Sequence, residues 1–178
     1  LAALTSGARN TAIGFEALDA TTTGNDHTII GYQAGSTLPA ASNRNTAIGT
    51  YALTAGNHAN CEDNTMVGYD AGKTITDGQN NVCVGSYAGD GITTGGSNVG
   101  VGRAALTSAT ALTGSGNVCV GDLAGTSLEG AASRNTAIGT NALTALTVGG
   151  TSNLGNVAIG YGALDSLQTG MSNIAIGV

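Results

Sequence analysis

The sequence contains no Trp, one Phe and five Tyr in 178 residues, so no large aromatic core can be assembled from it. Its interior has to come from small aliphatic side chains. Charge is equally scarce: 9% of residues are charged, the net charge is −6, and the five basic residues, Arg9, Arg44, Lys73, Arg103 and Arg134, are scattered along the chain. No basic patch exists to neutralise phosphates, which argues against nucleic acid as a partner. Gly and polar residues interrupt every apolar run well short of the roughly 20 residues needed to cross a bilayer, so membrane insertion is not expected. The chain opens on Leu-Ala-Ala-Leu without a charged segment leading into an apolar one, and it reads as a segment of a longer protein. Cys61, Cys83 and Cys119 are too few and too unevenly spaced for a disulfide framework, and they match no metal-ligand pattern.

What is abundant is Gly, with Thr, Ala and Asn, and the bias is periodic. The recurring unit is Asn, Thr or Val, a small apolar residue, Ile or Val, Gly, two variable residues, Ala, and Leu or Gly. Its Asn recurs as Asn10, Asn45, Asn64, Asn81, Asn98, Asn117, Asn135, Asn156 and Asn173, with His27 in the second unit. Its Gly recurs as Gly14, Gly31, Gly49, Gly68, Gly85, Gly102, Gly121, Gly139, Gly160 and Gly177, at intervals of 17 to 21 residues. Length variation falls between the units. A short β-compatible run ending on Gly is a strand that stops at a bend, and such units stack as the coils of a solenoid. The fold class is therefore all-β, a parallel β-solenoid of about ten coils forming one array over residues 1–178. At roughly 4.8 Å per coil the rod is roughly 45 to 50 Å long.

Alternation along each strand separates two faces. Thr or Val and Ile or Val share one, and the residue between them, most often Ala or Cys and never charged, points to the other. Both faces read as dry. The Ala/Cys face is expected to pack against neighbouring copies of the same chain, making a homo-oligomer. The Asn residues are expected to stack as a ladder, each amide bonding adjacent coils or capping the local turn. The Thr/Gly/Ser-rich stretches 21–24, 93–97 and 113–116 are expected to be edge turns.

The Asn-(Thr/Val)-Ala-Ile-Gly-x-x-Ala-Leu unit resembles the head repeats of trimeric autotransporter adhesins, and more closely the arrays found in phage tail fibres and related bacterial surface proteins. The resemblance covers essentially the whole chain. It implies a left-handed parallel β-roll, a homotrimer, and a shaft or head segment of a viral tail fibre supporting attachment to a cell-surface glycan or protein receptor. A bacterial cell-surface adhesin is the alternative. The adhesin repeats are shorter, and the array is expected to be an excerpt whose binding tip lies elsewhere, so the resemblance favours a shaft over a named binding site.

Chemical motifs are weak beside this. Gly72-Lys73-Thr74 lacks the spacing and the helix of a phosphate-binding loop, and the glycines around Arg103 are repeat positions rather than a dinucleotide fingerprint. Glu62, Asp63, Asp70 and Asp77 are read as solvated loop acids rather than a glycan-cleaving pair. No catalysis, metal or cofactor is expected. His27 is read as a structural stand-in for Asn; His58 has no plausible nucleophile beside it. Cys83 and Cys119 read as buried small hydrophobes, and Cys61 as the one reactive thiol. Phe15, Tyr32, Tyr51, Tyr69, Tyr87 and Tyr161 each follow a repeat Gly by one or two positions. They form a candidate glycan-contact stripe, the competing reading being that they seal the turn against an oligomer interface. An ice-binding solenoid would display a flat outward Thr array, whereas here Thr shares the Ile face.

Overall fold

The computed structural model describes residues 3–54, 61–146 and 154–178. Its ten strands are β1 (Thr11–Ile13), β2 (Thr28–Ile30), β3 (Thr46–Ile48), β4 (Thr65–Val67), β5 (Val82–Val84), β6 (Val99–Val101), β7 (Val118–Val120), β8 (Thr136–Ile138), β9 (Val157–Ile159) and β10 (Ile174–Ile176). They form one parallel sheet in chain order, so every strand hydrogen-bonds to the next and each connection is one turn of a solenoid. The register pairs like with like: Thr46 beside Thr65, Ala47 beside Met66, Ile48 beside Val67. Further parallel bridges, Asn25 to Asn43 and Leu112 to Gly130 among them, tie successive coils together away from the sheet.

The bend after each strand explains the repeat Gly. Its φ lies between 128° and 143°, and a Cβ at Gly14 would stand 2.3 Å from the carbonyl oxygen of Gly31 in the next coil. Only Gly meets both constraints. Two residues later the chain enters the left-handed region whatever the side chain, as at Gln33, Tyr51, Asp70 and Leu123. It does so again two residues further on, where the unit carries Leu or Gly, as at Leu53 and Gly72.

The core lies inside the coils, and here the structure corrects the face assignment. The residue between the two larger strand residues points inward: Ile29, Ala47, Met66, Cys83, Cys119, Ala137 and Ala158 are fully buried within the chain's own core. The Ala/Cys face is thus intramolecular and not a surface for a neighbouring copy. Closure of the coil decides this, because the Leu of the following corner and aliphatics such as Leu38, Ile75, Ile92 and Leu128 fold back over that face.

Within each coil the inward residue and the corner residue share a fixed volume. Ala12, Ala47, Gly100, Ala137 and Ala158 go with Leu18, Leu53, Leu106, Leu143 and Leu164; the larger Ile29, Met66, Cys83 and Cys119 go with Gly35, Gly72, Gly89 and Gly125. Contact distances give the reason. A Cβ at Gly72 would lie 2.5 Å from Met66 Sδ, and one at Gly89 2.3 Å from Cys83 Sγ. Close packing leaves room for one large group per coil at this level.

Candidate functional site: the outward sheet face and the aromatic file

Each strand carries its polar support on the inside. Asn64 N donates to Asn45 Oδ1 at 3.0 Å, Asn81 N to Asn64 Oδ1 at 3.0 Å and Asn98 N to Asn81 Oδ1 at 2.9 Å. The series continues through Asn117, Asn135, Asn156 and Asn173. The amide nitrogens donate to carbonyls across the coil, Asn45 to Cys61 O and Asn117 to Ala132 O, both at 2.8 Å. At the first coil His27 N donates to Asn10 Oδ1. His27 then takes the ladder position itself: its Nδ1 accepts from Asn45 N at 3.2 Å, so the proton sits on Nε2, 2.9 Å from Ser42 O. Burial pushes the pKa of this imidazole down, against the hydrogen bond to the Ser42 carbonyl that favours the charged form.

With the ladder and core facing in, the flanking strand residues face out. Ile48, Val84, Val101, Val120 and Ile138 are each 36 to 40% exposed, and Ile13 and Ile176 at the two ends more so. Beside them runs a second rank, Thr11, Thr28, Thr46, Thr65, Val82, Val99, Val118, Thr136, Val157 and Ile174. The result is a strip of β-branched side chains along the whole sheet, left partly exposed among the described residues.

The aromatic residues lie at the corner that ends each strand. Phe15 stacks on Tyr32 with centroids 5.4 Å apart, and Tyr32, Tyr51, Tyr69 and Tyr87 continue edge-to-face at 5.6, 6.3 and 5.3 Å. Phe15, Tyr32, Tyr69 and Tyr87 are exposed and Tyr51 is half-buried. Tyr161 stands four coils on, exposed and outside the file. Between them the same corner carries Arg103, Asp122 and Asn141, with Arg103 paired to Asp122 at 2.8 Å.

Behind Tyr69 and Tyr87 is a cluster that the sequence does not reveal. Asp70 is buried rather than solvated; its Oδ2 pairs with Lys73 Nζ at 3.1 Å, and the ammonium lies 5.6 Å from the centre of the Tyr51 ring. Burial, and then the charge of Asp70, push the pKa of Asp90 up to about 6. Oδ1 of Asp70 and of Asp90 are buried without a hydrogen-bond partner among the described residues. Two further acids sit in surface pairs, Asp63 and Glu62 both bonding Arg44. Among the described residues no group of three or more His, Cys, Asp or Glu side chains could hold a metal.

Cys61 is fully buried, and burial pushes its thiol up to about 12, so it is not the reactive thiol that its loop position suggests. Cys83 and Cys119 are buried in the core as small hydrophobes, with their thiols also pushed up by burial. His58 lies outside the described residues. No described helix is long and apolar enough to cross a membrane. No family model, no curated protein and no solved structure matches the chain, so its function is read from its own geometry.

Proposed function

We propose that this chain is a structural shaft segment of a fibre, in which three copies of the solenoid pack through their outward Thr/Val and Ile/Val ranks. The observation that carries the proposal is the outward strip itself. It is uncharged, β-branched and continuous over ten strands, while the core that would ordinarily account for such residues is already filled from the other face. Burial of that strip between copies removes β-branched surface from water at little conformational cost, since these side chains are already held by the sheet. Threefold association, left-handed winding and a place in a viral tail fibre supporting host attachment rest on the resemblance of the repeat to tail-fibre arrays. A bacterial cell-surface adhesin of the same build is the alternative.

The test is the solution mass of the chain by light scattering, alone and with Val101→Asp on the strip. Three chain masses, falling to one in the variant, is the expected result; a stable monomer would sink the proposal. One observation favours a second reading. Thr11, Thr28, Thr46, Thr65 and Thr136 face outward on the sheet, as an ice-binding surface requires. That reading predicts a monomer with thermal hysteresis, abolished by Thr46→Tyr.

A further inference from the structure

The aromatic file is a feature of the surface that the solenoid does not need. The corner has one backbone geometry throughout. Tyr87 N donates to Tyr69 O at 2.8 Å in the aromatic stretch, and Leu123 N to Arg103 O and Asn141 N to Asp122 O at 2.9 and 3.0 Å beyond it. Coils that carry Arg103, Asp122 and Asn141 therefore turn as well as those that carry rings. A seam between copies would run the full length, as the Thr/Ile strip does, whereas the file is confined to the coils of β1 to β5.

Three properties narrow what lies on it. The rings recur once per coil, 5.3 to 6.3 Å apart, close to the spacing of successive sugars in an extended β-1,4-linked chain. Four of the five are Tyr, and among the described residues no hydrogen bond engages their hydroxyls, which are left to bond a hydroxylated ligand. The cations at its margin are compensated within the chain, Lys73 by Asp70 and Arg103 by Asp122, so nothing selects an acidic polymer. We infer that Phe15, Tyr32, Tyr51, Tyr69 and Tyr87 form a linear binding site for a neutral, extended β-1,4-linked polysaccharide lying along the rod. The inference deepens the fibre reading by giving the shaft a receptor class, and it requires only that the file stay open when copies associate.

Because the chain has no Trp and five Tyr, ligand on the file is read directly by tyrosine emission. Cellohexaose, chitohexaose and the curved maltohexaose would be titrated into the assembled protein, with its mass followed by light scattering. Cellohexaose or chitohexaose should perturb the emission and maltohexaose should not. Tyr69→Ala and Tyr87→Ala should each weaken binding at least tenfold at unchanged mass, Tyr69→Phe should weaken it less, and Asn141→Ala at the equivalent corner of a later coil should have no effect. Failure of both extended hexaoses to bind, or binding indifferent to Tyr69→Ala, overturns the inference; so does loss of assembly in Tyr69→Ala, which would make the file part of the contact between copies. A monomer that still binds cellohexaose through Tyr69 would sink the fibre reading and leave this one standing.

Discussion

The inward and outward ranks of the same ten strands follow different rules. Inward, the residue ranges from Gly100 through Ala47 and Cys83 to Met66, and each change in size is matched by Leu or Gly at the corner of the same coil. Outward, the ranks hold to Thr, Val and Ile in every strand, although among the described residues they stay partly exposed. The inner variation is tolerated because its partner lies a few residues away in the same coil. The outer uniformity has no such internal cause, and it points to a surface that meets something equally regular.

The comparison breaks most sharply with a charge. Ala137→Asp places a carboxylate in the closed core and should cost several kcal/mol, enough to unfold the coils around it. Val120→Asp on the outer rank, one coil earlier, should shift the melting of an isolated chain by less than about 1 kcal/mol. Circular dichroism melts of the two variants under one condition would decide it, and equal effects would mean the ranks are not inside and outside. The volume rule comes next. Met66→Ala should destabilise by about 2 to 5 kcal/mol. Gly72→Leu alone should also destabilise, because its Cβ would meet Met66 Sδ, but the two together should recover much of the loss. A purely additive pair in denaturant titration would remove the compensation argument.

Smaller effects come from the titratable groups, and their signs oppose. His27 holds a lowered pKa in the folded chain, so below about pH 6.5 the unfolded chain takes up a proton that the folded one does not, and stability falls as pH drops. Replacement by Asn should restore the ladder residue and flatten that limb. Asp90 holds a raised pKa of about 6, so between about pH 4 and 6 the folded chain keeps a proton that the unfolded chain has lost, and stability falls as pH rises through that window. Asp90→Asn should therefore stabilise by roughly 1 kcal/mol at pH 7, discounted for its partial exposure. A variant whose stability at pH 7 is unchanged or lower would show that the ionised carboxylate is not the strained form.

Much of the site was legible from residue types alone. The Asn ladder follows from one polar ladder residue per coil at constant register, and the aromatic file from rings one or two positions after the repeat Gly. The inward face was misassigned because alternation distinguishes two faces without labelling them. A usable signal was present nonetheless: Ala12 with Leu18 against Met66 with Gly72 is size compensation, which only residues sharing one enclosed space require. No such signal marked Asp70. Its neighbour in space is Lys73 in the same corner with Asp90 one coil on, and a polar residue between Tyr69 and Ala71 reads like any other surface acid.

By itself, then, the order of residues determined where each strand begins and ends, the parallel in-register stacking, and the Asn and aromatic lines that stacking creates, because all of these are consequences of a repeat near a constant length. Closure of the coils alone decided which rank is core and which is surface, and with it the burial of Cys61 and Asp70. The reason is geometric: the glycine bend and the left-handed residues after it set the direction in which the chain returns, and only the side of the strand that the returning segment covers loses its water.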